Sequence, residues 1–463
     1  MKKLLVIAAV FGLAACAQPC QDECCLPDNV MVTGTNPIIS NQFAADPTAR
    51  VFNGKIYMFP SHDIPPVIIR PDGTKWFSMA DYHVFSSEDL TTWTDHGKIV
   101  DQKDVPWGNP TAYSMWAPDC FEKDGKYYFY FPNASKQGGF AVGVAIADNP
   151  EGPYEIQPEP IKGISGIDPC VLKASDGNHY IFWGNGRCAK LADNMLELAE
   201  DNPKTVMKWG DREFEMVGVN CLEGLPSRQA EGPFAFEYNG NYYLTYPYVR
   251  KDTEVIGYAM SKNPMGPYEY KGIIMAEHEN KCWTNHHSIV NYKGQWYFFY
   301  HHNDYSPDFD KNRSARIEKL YFNEDGTIRE IKPTERGVGP IKACQKVHID
   351  RYSTIDGAAI EYLDTTDYFK GWKTVFDKAG DKVTFNELNF GKKAPKNVAL
   401  YVKAPQGGKV SLTAGKTVEV EVPAAADWTE VCVPMPVKVK GMQNLEVAAL
   451  SDSPVEIDWV QFR

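Results

Sequence analysis

The sequence predicts an all-β protein: a five-bladed β-propeller followed by a β-sandwich of jelly-roll type. Two observations carry this: a β-hairpin signal that recurs five times, and a change of pattern near residue 345 into short alternating strands. The clearest hairpin runs from Gln229 to Tyr246. It has an apolar strand around Phe234-Ala235-Phe236 with Glu231 just ahead, an Asn239-Gly240 turn, and an aromatic return strand from Tyr242. Asn-Gly supplies the positive φ angles that a two-residue hairpin loop needs. The other copies turn at Asn53-Gly54, Asp124-Gly125, Asp176-Gly177 and Lys293-Gly294, and successive turn glycines lie 52 to 71 residues apart. A β-rich repeat near this period fits the blades of a propeller.

From the N-terminus, Lys2-Lys3 and the apolar run Leu4 to Leu13 read as a secretory signal, since the run is too short to span a bilayer. It ends Leu13-Ala14-Ala15-Cys16, the pattern of a bacterial lipoprotein cleavage site. Residues 1–15 are therefore expected to be the signal peptide, with Cys16 acylated. Residues 16–35 are polar and aperiodic, as in a tether. The expected location is periplasmic or outer-membrane anchored. Cys20, Cys24 and Cys25 crowd this leader, and the odd total of 11 cysteines predicts no disulfide framework.

The propeller is expected over residues 36–345. A second repeat supports it: Asp148-Asn149-Pro150-Glu151-Gly152-Pro153-Tyr154 and Lys262-Asn263-Pro264-Met265-Gly266-Pro267-Tyr268 each follow a small-residue strand, as turns between third and fourth strands. Ser87 to Trp93 and Ala192 to Met195 are looser copies. Insertions at 60–77, 101–115 and 202–228 are expected to be loops at the pocket rim. The sandwich is expected over 352–463, where Val418-Glu419-Val420-Glu421-Val422 alternates strictly.

Eight or nine residues before the five turn glycines stand Asp46, Trp116, Asp168, Glu231 and His286. The first strand of each hairpin would lie nearest the propeller axis, so these five should converge on one channel. The mixture of eight and nine would change strand parity unless the turns differ in length. Two carboxylates across a narrow pocket suit glycosidic bond cleavage, one protonating the leaving oxygen and the other activating water. A third can raise the acid's pKa by like-charge repulsion. Trp116 is either a sugar-stacking platform or blade-packing core. His286 has no second metal ligand nearby in sequence, so a cation there would be completed largely by water. His301-His302 are expected to cap the last aromatic strand. The net charge of −12 argues against nucleic acid and anionic membrane surfaces as partners and fits a soluble, uncharged ligand. Contact with a membrane is expected only through a lipid anchor at Cys16.

Ala45-Asp46-Pro47, Trp116-Ala117-Pro118, Gly166-Ile167-Asp168-Pro169, Glu231-Gly232-Pro233 and His286-His287-Ser288 resemble, in this order, the motifs of glycoside hydrolase family 43. The resemblance implies a five-bladed propeller that inverts anomeric configuration. Asp46 would be the general base, Glu231 the general acid, and Asp168 the residue that orients the acid and tunes its pKa. His286 would face a central, water-coordinated calcium or similar cation; no organic cofactor is implied. The commonest substrates of the family are α-L-arabinofuranosides and β-D-xylosides, and the long rim loops favour an exo-acting arabinofuranosidase acting on plant oligo- or polysaccharides. A β-xylosidase and a non-catalytic glycan-binding propeller are the alternatives. Phe385 to Gly391 and Ile457 to Phe462 resemble a carbohydrate-binding module of family 6, although Ile360-Glu361-Tyr362 replaces its usual acidic start. A packing role for this domain is the other reading.

Overall fold

The computed structural model describes residues 27–209, 212–278, 282–435 and 437–463. The leader, Cys16 and the cysteines beside it lie outside the described residues. The chain forms two compact units: Pro27–Gly339 with Asp364–Gly371, and Pro340–Leu363 with Trp372–Arg463. Apart from two short 3-10 turns, Gln102–Asp104 and Tyr368–Lys370, the regular structure described is all strand. None of the described helices is long and apolar enough to cross a membrane.

Among the described residues the first unit holds six antiparallel sheets: a two-stranded hairpin, Lys204–Trp209 with Arg212–Val217, and five larger ones, I to V in chain order, whose first strands are Ala45–Phe52, Asp119–Lys123, Cys170–Lys173, Phe234–Tyr238 and His287–Tyr292. Each is followed by the expected hairpin. At 53–54, 124–125, 239–240 and 293–294 both turn residues have positive φ, the two-residue geometry that matches strand twist. The Asp176-Gly177 turn is longer, lying between strands that end at Lys173 and restart at His179. The first strands neighbour one another in a closed ring, Ala45–Phe52 touching both Asp119–Lys123 and His287–Tyr292.

Polar side chains link these strands where sheet hydrogen bonding cannot. Asp119 accepts from Arg50 Nη2 at 2.6 Å on one side and from the Val171 N–H at 2.6 Å on the other. Ser288 Oγ donates to Pro47 O at 2.6 Å and accepts from Ala49 N–H at 2.9 Å. The N-terminal segment closes the ring on sheet V: Asn36 Nδ2 donates to Ile317 O, and the N–H groups of Ile38 and Ala44 donate to Ala315 O and Arg313 O. Between sheets the core is aromatic, with Phe59, Tyr82, Phe129, Phe131, Trp183 and Tyr243 buried.

Three expectations change. The tether does not extend to residue 35, because Val30–Val32 pairs with Thr92–Thr94 as an edge strand of sheet I. The 202–228 insertion is not plain loop: Lys204–Trp209 and Arg212–Val217 pair as a hairpin. Cys344 is disulfide-bonded and so is Cys432, whereas the odd cysteine count predicted no framework.

The second unit contains two six-stranded sheets around a core of Val, Leu, Ile and Phe. Strand Lys416–Val422 buries Val418, Val420 and Val422 and exposes Glu419 and Glu421, as the alternation predicts. The closing strand Val455–Phe462 is central, pairing with Trp372–Phe376 and Asn397–Ala404.

Candidate active site

All five sequence-selected residues line one cavity of about 470 Å³, together with Trp76, Phe77, Trp283, Lys311 and Arg313. They stand at the N-terminal ends of the five first strands. Irregular backbone accounts for the spacing at Asp46, whereas His286, also eight residues before its turn glycine, precedes a strand that pairs without a register shift. Asp46 and Asp168 have φ of 47° and 57°, and the pairing of Ala45–Phe52 shifts register between Ala45 and Thr48. Left-handed backbone at a non-glycine residue costs about 1–3 kcal/mol and here aims a carboxylate into the cavity.

Asp46 is buried. Ser61 Oγ donates to its Oδ2 at 2.7 Å, and Arg313 Nη1 donates to its Oδ1 at 2.8 Å. Burial alone would raise its pKa, but Arg313, then the adjacent His301 and His286, outweigh it and hold the carboxyl far below its usual range. Arg313 also binds Asp63, from Nε to Oδ2 and from Nη2 to Oδ1, both at 2.9 Å. One guanidinium thus serves two buried carboxylates, and its fork of donors allows this.

Glu231 is enclosed by protein but keeps an edge toward the cavity. Burial, then the Asp46 charge, raise its pKa to about 7, while Arg313 and a hydrogen bond with Glu254 oppose the shift. Asp168 is fully enclosed and is also raised, by burial first and then by Glu231 and Asp46. Its Oδ2 accepts the Gly232 N–H at 3.0 Å, which fixes the peptide next to Glu231. Gly232 has φ 52°, and a Cβ there would sit 2.9 Å from the His286 ring and 3.0 Å from Pro247, so only glycine lets the chain pass.

Trp116 takes both of its expected parts: it lines the cavity, and its ring lies 4.6 Å from that of Phe140. His286 makes no hydrogen bond among the described residues, and its Nδ1 is 4.0 Å from Asp46 Oδ1. Burial, then His301 and Arg313, lower its pKa to about 4 against the pull of Asp46, so the ring is neutral and keeps a lone pair. A neutral imidazole that faces the cavity with a free lone pair could serve a mostly hydrated calcium as its one protein ligand; His286 belongs to none of the three-ligand clusters among the described residues.

Several site residues were missed in the sequence. His301 is no mere strand cap, since its Nδ1 accepts the Asp46 N–H at 3.1 Å while Nε2 lies 3.2 Å from Thr284 O. Arg313 and Asp63 carry no motif. Glu254 opens the buried strand Glu254–Ser261, accepts the Asn285 N–H at 2.9 Å, and has a strongly raised pKa from burial and Glu231. A lone acid at the head of an apolar run was the available signal. Among the described residues of the three insertions, only 60–77 supplies cavity residues, Trp76 and Phe77.

The arrangement places an ionised carboxylate and a protonatable one in the same cavity, with pKa values pushed in opposite directions. Such a pair can take a proton from one group while giving one to another.

Comparison with known proteins agrees with this chemistry. The family model described as glycosyl hydrolases family 43 matches residues 34–328. The chain is 37% identical over 331 residues to a protein of Humicola insolens named Xylosidase/arabinosidase 43A, spanning 64% of this chain and 99% of that one. A solved β-xylosidase/α-arabinofuranosidase from a compost microbial metagenome, in complex with xylotriose and in a calcium-free form, is 36% identical. It has a TM-score of 0.56 and covers 65% of this chain and 98% of its own. An arabinoxylan arabinofuranohydrolase from Bacillus subtilis is alike in fold alone, at 23% identity, TM-score 0.52, and 93% of this chain against 97% of that one.

Proposed function

The chain belongs to glycosyl hydrolase family 43 and is a glycoside hydrolase; on that premise we propose that it removes single α-L-arabinofuranosyl and β-D-xylosyl units from the ends or branches of plant oligo- and polysaccharides. The observation that carries the chemistry is the opposed titration of Asp46 and Glu231 in one cavity. The five sheets are the blades of a five-bladed propeller, and the cavity lies at the strand ends that face its axis. Sequence reasoning favoured the arabinofuranoside. The activities named for the Humicola insolens and compost relatives support both pentosides, whose terminal rings present similar hydroxyls.

The terminal sugar sits against Trp116, Phe77 and Trp283, whose apolar faces suit the C–H faces of a neutral ring. Asp46, ionised at any working pH, receives a proton from the attacking water. Glu231, protonated below about pH 7, donates to the leaving oxygen. Attack by water on the face opposite the leaving group inverts the anomeric centre. Asp168 holds the Gly232 peptide and keeps a second carboxyl beside the acid. His286 would hold calcium, which would supply positive charge to the cavity.

The C-terminal unit is proposed as a β-sandwich resembling a family 6 carbohydrate-binding module, and the lipid anchor at Cys16 as the export address; loss of fatty-acid labelling in Cys16→Ala tests the latter. The deciding experiment is kcat/KM on aryl α-L-arabinofuranoside and aryl β-D-xyloside, with product analysis on arabinoxylan and xylo-oligosaccharides. Monosaccharide release with both pentosides is expected. Oligosaccharide products, or binding without any release, would overturn the reading.

A further inference from the structure

Sheet I carries a group of half-buried side chains that the hydrolytic scheme does not use. His62 stands near the end of strand Lys55–Asp63, and Asp81 and His83 stand on the neighbouring strand Met79–Ser87. The pairing of these strands shifts register between Ser61 and Asp63, and Met79–Ser87 shifts against its other neighbour on both sides of His83. Such bulges re-aim side chains, and here they bring three onto one spot. One ligand atom from each lies within 4.8 Å of the others, with His62 Nδ1 at 2.6 Å from Asp81 Oδ1 and the two imidazole centroids 5.2 Å apart.

The next shell is built as well. His83 Nδ1 lies 3.2 Å from Asp95 Oδ1, and Asp95 is itself fixed by the Gly97 N–H at 2.8 Å and Asn41 Nδ2 at 3.0 Å. A carboxylate that takes the N–H of one ring nitrogen sets the tautomer and leaves the other nitrogen's lone pair for a metal. Asp101 lies opposite Asp81 on the adjoining strand and is paired with Lys98, so Asp81 and Asp95 leave the patch with an excess of negative charge.

We propose that His62, Asp81 and His83 form a binding site for a divalent transition metal of the zinc class, with Asp95 as the outer carboxylate and a water in the fourth position. Two imidazoles and one carboxylate are the donor set of a three-ligand zinc site. Ligands at 2.0–2.2 Å from one ion lie roughly 3.3–3.5 Å apart, so His62 and Asp81 would exchange their direct hydrogen bond for the ion and part by about 0.8 Å, while any pair nearer the 4.8 Å limit would close. The metal would tie together two strands behind the pocket. Ser61 and Asp63, flanking His62, hold Asp46 and Arg313 on the opposite side. A metal there would thus brace the strand that supports the base.

The test uses Co²⁺ as a visible probe and Zn²⁺ titration calorimetry, in a His286→Ala background so that the pocket does not contribute. One equivalent with d–d absorption is expected, together with a rise in Tm on adding Zn²⁺. His62→Ala and His83→Ala should each abolish the absorption. Asp95→Asn should weaken binding about 10–100-fold. Asp81→Asn, which keeps the side chain's shape, serves if either alanine variant fails to match the parent's circular dichroism in chelator. Binding that survives replacement of both histidines, or absence of any Co²⁺ signal in the parent, overturns the inference.

Discussion

Glu231→Gln tests the proton donor most directly, because it keeps the side chain's shape while removing the proton that can be given. The acid titrates near 7, so about 90% is protonated at pH 6 and about 10% at pH 8. In the parent, kcat/KM on a natural glycoside should therefore fall about tenfold between its plateau and pH 8. A sugar alkoxide leaves poorly and needs that proton, whereas an activated phenolate leaves unaided. Glu231→Gln should lower kcat/KM about 10²–10⁴-fold on xylobiose or an arabino-oligosaccharide, and far less on an activated aryl glycoside. The basic limb near pH 7 should disappear with it. The assay is kcat/KM for both substrates between pH 4 and pH 9 in parent and variant. A ratio of the two losses near one, or a basic limb that persists near 7, would refute the assignment of Glu231 as the acid.

The same substitution should change stability in a defined window. The folded-state pKa of Glu231 lies above its ordinary value of 4.5, so between about 4.5 and 7 the folded protein holds a proton that the unfolded chain has lost, and stability falls as pH rises. Glu231→Gln should thus raise Tm at pH 8 and leave it unchanged at pH 4; equal Tm shifts at both would contradict this. Asp46→Asn should cost about 10²–10⁴-fold in turnover on every substrate and, by removing a like charge, lower the Glu231 pKa from about 7 as followed by carboxyl NMR; retention of a tenth of the parent rate would exclude Asp46 as base. Arg313→Met leaves Asp46 and Asp63 buried without their shared cation. It should cost about 3–5 kcal/mol in denaturant unfolding and move the acid limb of the pH profile upward; an unmoved limb would mean that Arg313 does not hold Asp46 ionised.

The features legible along the chain are local. A two-residue turn needs positive φ, so Asn53-Gly54, Asp124-Gly125, Asn239-Gly240 and Lys293-Gly294 mark their hairpins in the chain, and distance from each turn marks the residue at the head of each first strand. That is why Asp46, Trp116, Asp168, Glu231 and His286 could be selected together before any coordinates. The ring of first strands then decided what no local pattern encodes. Arg313 lies 267 residues from Asp46 and 250 from Asp63, and only closure of the last sheet against the first brings its guanidinium between them. Glu254 reads in sequence as an oddity at the start of an apolar strand, and becomes a neighbour of Glu231 only when the second and third strands of sheet IV fold back. The left-handed backbone at Asp46 and Asp168, which overrides simple strand parity, is likewise imposed by the packing around the cavity. Which groups stand on a strand follows from the chain's own geometry; which charges they meet, and so which carboxyl keeps its proton, follows from residues hundreds of positions away.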